Sequence, residues 1–434
     1  MKNILGKRRA RLGAIALATA GLVVLAGCSS SGGDGDAGGS AGEGPLHAGL
    51  PWGSSAEEFA AAVADMDPVH LTVQSSAPSE ASTRAWSTIE FKNRVEEYSG
   101  GKIEVEIVYA NAISSLIDND DAVVDGRLDM TSIVPLYEPS KYPVNALLSE
   151  MSLVRGSGPF LSELQLNSTL NEAAMELPGA IEEYTDQGLL VAFPAISQGE
   201  TVFLCSEPTQ TPADFKGLQL RVPGIAHSNA AVALEATPVS LTQAESYEAL
   251  QRGVIDCTIA SLSIAYVYNQ VEVAPYVTHG IGVALPTSPA AIVLGQKVID
   301  LPLTARQIVW DAAFWAGPNG IIQETSITMP ETLEAVFAAG GAILPADDAV
   351  NKTIEAANKK LEAKWDETAG VPGFTERLWG MQDEWLKKLD ELGYEDGGTL
   401  EDYLDWAPDH KTLDLTAWAD VLYDEVLSSL RPRA

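Results

Sequence analysis

The sequence predicts an α/β protein built as two similar lobes, followed by a helical C-terminal extension. Three observations predict it: a strand-helix-strand-helix-strand order over residues 70–134, an echo of that order over residues 218–259, and a change to helical periodicity beyond Leu301.

The elements follow in order. His70–Ser75 is rich in β-formers and predicts a strand. Ser79–Tyr98 predicts a helix with Trp86, Ile89 and Val95 on its apolar side, stopped by Ser99-Gly100-Gly101. Ile103, Val105, Ile107 and Tyr109 alternate with polar residues, the pattern of a half-buried strand. A helix at about Asp118–Asp125 and a strand at Leu128–Val134 complete the first unit, an order that points to a mostly parallel sheet. Residues Ala122 to Thr131 (AVVDGRLDMT) then line up with Ala249 to Thr258 (ALQRGVIDCT): helix, glycine stop, aliphatic residue, aspartate, strand. The second copy sits among a strand at Leu218–Val222, a helix near Ala226–Glu235, a strand at Pro238–Leu241, a helix at Gln243–Arg252 and a strand at Val254–Ile259. Beyond Leu301, helix segments are expected at Leu303–Gly317, Pro330–Ala339, Ala346–Ala369 and Thr375–Leu392. Trp365, Trp379, Trp385, Trp406 and Trp418 are expected to pack this region onto the lobes.

The chain has 434 residues, enough for more than one domain, with Lys+Arg 27 against Asp+Glu 60 and a formal charge of −33. Such a surface repels nucleic acid and anionic headgroups, so no nucleic-acid partner is expected. The start of the chain is of opposite sign. Lys2, Lys7, Arg8, Arg9 and Arg11 precede an apolar run from Leu12 to Leu25, short for a membrane span, and then Leu25-Ala26-Gly27-Cys28. That tetrapeptide resembles the lipobox of bacterial lipoproteins. The resemblance implies a signal peptide over residues 1–27, removed so that Cys28 becomes the lipidated first residue, tethered outside the cytoplasm to the cell membrane. Arg8-Arg9 leaves the export route open. Ser29 to Gly44, almost all Ser, Gly, Asp, Ala and Glu, is expected to be a flexible tether.

Catalytic and cofactor motifs are absent from the sequence. The five histidines are scattered, no phosphate-binding glycine loop follows a strand, and Gly38-Gly39-Ser40-Ala41-Gly42 matches a hydrolase elbow only inside the tether, with no strand or helix to support it. No enzyme activity, cofactor or metal is expected. Asp118-Asn119-Asp120-Asp121 lacks the glycine and glutamate of a calcium loop and reads as a solvated helix start. Arg221 stands apart. It lies within the stretch Gly217 to Gly224 (GLQLRVPG), at the carboxyl end of a strand, where open α/β sheets bind ligands. A guanidinium there matches a carboxylate bidentately; a structural ion pair is the alternative, and position alone leaves both open. With Cys28 assigned to lipid, Cys205 and Cys257 are a bonded pair or two buried thiols by count alone.

The stretch Thr211 to Pro223 (TPADFKGLQLRVP) resembles a signature of the solute-binding proteins of tripartite ATP-independent periplasmic (TRAP) transporters, the C4-dicarboxylate-binding type. Ala236-Thr237-Pro238-Val239-Ser240 with Tyr247 to Asp256 resembles a second, and Phe91–Lys102 with Asp125–Asp129 resembles the family's first lobe; the likeness runs from about Leu71 to Ala313. The resemblance implies a periplasmic-binding-protein-like fold that closes on an organic acid about a hinge. Its domains are a solute-binding body over 67–375 (lobe 1 about 67–197 and 286–325, lobe 2 about 198–285 and 326–375), a lead-in over 28–66 and the extension over 376–434. It implies that Arg221 pairs with the ligand carboxylate. Ser76, Val134, Pro135, Gln198, Thr201, Ala260 and Ser261 are implied to border the cleft, with Tyr137, Phe203 and Tyr247 placed to wall it. Cys205 and Cys257, on adjacent antiparallel strands in the family fold, are implied to be in reach of a disulfide. The partners implied are a small organic acid, the TRAP membrane permease subunits and, through Cys28, the membrane. A tethered sensor presenting solute to a signalling receptor is the alternative use of the same cleft. Some relatives carry a second arginine near Thr201 and an asparagine near Ala260; this chain has neither, so a monocarboxylate is expected over a polyanion.

Overall fold

Runs of β-branched and aliphatic residues become strands in two separate sheets. The computed structural model describes residues 44–434 except 157, 198, 281–282 and 410–411. The leader with Cys28, nearly all of the tether, and Gln198 therefore lie outside the described residues. The strands are β1 (Val69–Gln74), β2 (Ile103–Val108), β3 (Met130–Ile133), β4 (Leu190–Ile196), β5 (Thr201–Cys205), β6 (Gln219–Val222), β7 (Thr237–Ser240), β8 (Cys257–Ser261), β9 (Tyr276–His279), β10 (Ala290–Leu294) and β11 (Ala342–Pro345). Sheet one has the order β2-β1-β3-β10-β4 and sheet two the order β11-β9-β5-β8-β6-β7.

Both sheets are mixed rather than mostly parallel. β1 pairs in parallel with β2 and β3, and β6 with β7 and β8, as the βαβ order requires. The chain then crosses from sheet one to sheet two between β4 and β5 and returns between β9 and β10. Each crossing inserts a reversed strand: β10 is antiparallel to β3 and β4, and β5 to β8 and β9.

The internal echo has a structural cause. Gly126 and Gly253 hold positive φ (+79° and +66°), a conformation that stops each helix without a Cβ clash. The aspartate three residues on then grips the first strand of its own repeat unit, β1 or β6. Asp129 Oδ2 accepts from Thr72 N at 2.7 Å, and Asp256 Oδ2 accepts from Gln219 N at 2.7 Å. Because these carboxylates hold the turn, β3 and β8 begin only after them, later than the expected Leu128 and Val254.

The two helices expected over Leu303–Gly317 and Pro330–Ala339 are one continuous rod: an α-helix Leu303–Gln323, a π-turn Glu324–Thr328 and an α-helix Met329–Ala338. Pro318 removes one backbone donor, but packing on both sides holds the rod together. Ile308, Trp310 and Phe314 lie in the core under sheet one, whereas Met329, Leu333 and Val336 lie in the core under sheet two. Elsewhere the helix expected at Ser79–Tyr98 starts at Trp86, after a 3-10 turn Thr83–Ala85 capped by Ser82. The one at Ala346–Ala369 is split into Asp348–Glu362 and Trp365–Ala369.

Helix Phe374–Glu391 packs on helix Leu161–Glu176, Trp385 Nε1 donating to Glu172, and from the later helix Thr416–Leu422 Trp418 Nε1 donates to Ser168 Oγ, both at 2.8 Å. Asp396 accepts from the backbone of Phe160 and Leu161, and Tyr403 OH donates to the Thr325 carbonyl in the π-turn at 2.6 Å. Among the described residues no helix is long and apolar enough to cross a membrane.

Candidate functional site

The carboxyl ends of β1, β3, β6 and β8 converge on a cavity of about 340 Å³, where the switch-point rule for α/β sheets puts a ligand. Serine and threonine hydroxyls line much of it, and Phe91, Met130, Ile196 and Ile292 supply an apolar floor.

Arg221, the penultimate residue of β6, lines this cavity and is 1% exposed. Its Nε donates to the Leu241 carbonyl at 2.9 Å and its Nη1 to the Ile259 carbonyl at 3.1 Å. Both backbone partners are carbonyls rather than carboxylates, the phenol of Tyr137 is a further polar neighbour of the guanidinium, and Nη2 makes no hydrogen bond of good geometry. Burial lowers its pKa, with Tyr137 and Glu245 opposing the shift, yet a guanidinium stays charged at any physiological pH. The phenol of Tyr137 lies beside it, its pKa pushed up by burial. A charged fork is thus held rigid from behind with one edge unspent, which is what recognition of a carboxylate demands.

The other expected residues divide. Ser76, Val134, Thr201, Ala260 and Ser261 line the cavity. Pro135 does not: it is buried at the start of the 3-10 turn Pro135–Tyr137, and it is Tyr137 at the end of that turn that reaches the cavity. Phe203 shares the strand face of Thr201 but lies two residues deeper, 1% exposed, its ring 4.8 Å from that of Phe215 in the core of sheet two. Tyr247 sits one turn along helix Gln243–Gln251, its hydroxyl accepting from Gln251 Nε2, and Gln243 at the head of that helix lines the cavity in its place. Cys205 and Cys257 face each other in register on β5 and β8 and are joined by a disulfide.

Among the cavity residues that sequence reasoning missed, two carry a cation or an imidazole. Arg84, in the 3-10 turn after β1, brings a second guanidinium; its Nε donates to Ser76 Oγ at 3.3 Å, and burial lowers its pKa against the charge of Glu324. The arginine missing near Thr201, the reason for expecting a monocarboxylate over a polyanion, is thus offset by Arg84 on the same cavity. The second is His227, in the first turn of helix Ile225–Ala233, with Nε2 2.8 Å from the Pro286 carbonyl and no partner on Nδ1. Both follow the carboxyl end of a strand, the signal that singled out Arg221. The acidic run at Asp118 is also corrected: Asp120 is buried, bonded to Lys141 and to Tyr142 OH, which explains its low exposure without an ion. Among the described residues no cluster of His, Cys, Asp and Glu has a metal-holding arrangement.

Residues 74–368 match the family model of bacterial extracellular solute-binding proteins, family 7 (DctP). Solved structures share the fold. A marine metagenome TRAP solute-binding protein specific for aromatic acids, in complex with metahydroxyphenylacetate, is 22% identical, with a TM-score of 0.61 over 74% of this chain and 99% of that one. A TRAP periplasmic solute-binding protein of Bordetella bronchiseptica with bound mandelate is 20% identical, with a TM-score of 0.61 over 74% of this chain and 100% of its own. A Bordetella pertussis extracytoplasmic solute receptor binding pyroglutamic acid is 16% identical, with a TM-score of 0.58 over 72% and 99%.

Proposed function

Since the chain belongs to the bacterial extracellular solute-binding proteins of family 7, a family of transporter binding proteins rather than enzymes, we propose that it captures a small organic acid in the 340 Å³ cavity and delivers it to a TRAP membrane permease. The observation that carries this reading is Arg221, pinned by two carbonyls with Nη2 left without a hydrogen bond of good geometry. The aromatic acid, mandelate and pyroglutamate bound by the three relatives support a carboxylate of modest size.

On this reading lobe 1 comprises about 67–197 and 286–325 and lobe 2 about 198–285 and 326–375, with the extension over 376–434 bracing them from outside. The acid approaches a strongly acidic chain, so the guanidiniums act only once it is within about 8 Å, a Debye length at physiological salt. Closure then removes water, and the carboxylate–Arg221 pair sets orientation while the apolar floor and hydroxyls choose the body of the ligand. Cys28 carries the lipid that keeps the receptor beside its permease, and a Cys28→Ser chain is expected in the soluble fraction.

The test is a thermal-shift screen of protein stripped of bound solute by unfolding and refolding. Organic acids are expected to raise the melting temperature by several degrees, and their primary amides are not. A panel in which no acid stabilises the fold, or in which acid and amide act alike, refutes the assignment.

A further inference from the structure

Most polar groups on the cavity are adaptable, because a serine or threonine hydroxyl turns its proton to suit a donor or an acceptor. His227, the cavity's one imidazole among the described residues, has no such freedom. It is 1% exposed, and its Nε2 lies 2.8 Å from the Pro286 carbonyl. A carbonyl only accepts, so this contact assigns the hydrogen to Nε2 and leaves Nδ1 as a lone-pair acceptor. The ring cannot escape by taking a second proton. Burial, and then the positive charge of Arg221, push its pKa down to about 3, so it is neutral throughout the physiological range. Nδ1 is therefore a buried, acceptor-only atom, and it has no partner in the protein. The turn between β6 and helix Ile225–Ala233 brings this ring to the same end of sheet two as Arg221.

An acceptor held in this way is complementary to a ligand group that can only be met by donating. We infer that the solute is a carboxylate carrying a hydroxyl or N–H close to its acid group, of the 2-hydroxy-acid or cyclic-amide-acid class, with the acid on Arg221 and the donor on Nδ1 of His227. This rests on the carboxylate reading above and narrows it. A ligand lacking the donor leaves Nδ1 desolvated and unpaired, so discrimination of at least about tenfold is expected.

The experiment is calorimetry on matched pairs: mandelate against phenylacetate, lactate against propionate, pyroglutamate against cyclopentanecarboxylate. For the native protein, the donor-bearing member of a pair that binds is expected to be held at least about tenfold more tightly. In His227→Phe that ratio is expected to collapse towards unity, and in His227→Asn, whose Oδ1 can take the place of Nδ1, to recover in large part. A merely structural role for the ring would weaken both members of a pair together and leave their ratio unmoved, and melting curves confirm that each variant is folded. Equal binding of both members by the native protein, or an undiminished ratio in folded His227→Phe, overturns this assignment and leaves the carboxylate reading standing. If neither member of any pair binds, the carboxylate reading falls and this assignment with it.

Discussion

Replacing Arg221 with alanine removes three contacts of two kinds, and their consequences can be separated. Two are the bonds to the Leu241 and Ile259 carbonyls. Each is charge-assisted, but the space vacated by the side chain opens on the cavity, so water can reach both oxygens. The expected loss of stability is about 1–3 kcal/mol, not the sum of two buried orphan groups. The third is the cation presented to the ligand. Without it, a carboxylate drawn into the closed cavity is left unpaired, which costs about 2–5 kcal/mol, or between about thirtyfold and a few thousandfold in Kd. Arg221→Lys keeps the charge but cannot reach two carbonyls and a ligand with one ammonium, so it falls between the native protein and the alanine variant. Calorimetry with the acid that stabilises the native protein most, alongside melting curves without ligand, measures both effects. A folded Arg221→Ala protein whose Kd lies within threefold of native would falsify the role given to this guanidinium.

Two further outcomes concern stability. The Cys205–Cys257 bond spans a sequence separation of 52 residues and should contribute about 4 kcal/mol through loop entropy; Cys205→Ser/Cys257→Ser is expected to melt at lower temperature, and thiol titration of the denatured, unreduced chain beginning after Cys28 should find nothing, two titrating thiols being the contrary result. Glu324, in the π-turn of the long rod, has its pKa raised to about 7 from 4.5, chiefly by burial and with the charge of Glu163 adding to it. Below pH 4.5 both folded and unfolded forms hold the proton and nothing is lost. Between 4.5 and 7 the unfolded chain releases it first, so stability falls as pH rises, by roughly 3 kcal/mol in full above pH 7. Glu324→Gln is thus expected to raise the melting temperature at pH 8 and leave it unchanged at pH 4, whereas equal shifts at both would show that the proton is not involved.

Much of the fold was legible because it is local. Alternation marked β2, the echo placed Asp129 and Asp256, and a strand's carboxyl end singled out Arg221. The reversed strand β10 was not legible, and β5 was expected antiparallel only through the family resemblance, since such pairing follows from the chain crossing between sheets and leaves no mark in periodicity. The break expected after Gly317 failed for a similar reason: propensity argues for a stop, but cores on both sides of the rod hold it helical. Phe203 and Tyr247 were placed on the correct elements, and their distance from the cavity along those elements was the part that could not be read.

By itself the sequence determined which segments alternate, where two matching units lie, that the chain is strongly acidic, and which arginine stands at a strand end. Those properties depend on neighbours in the chain, and a linear string records them. Only the tertiary structure decided that Arg84 and His227 share the cavity with Arg221, and that Cys205 meets Cys257. Only there did Nη2 of Arg221 and Nδ1 of His227 prove to be without hydrogen bonds of good geometry. Whether a polar atom is satisfied depends on what the rest of the fold brings within hydrogen-bond distance, and that is set by how the two sheets and the rod between them pack.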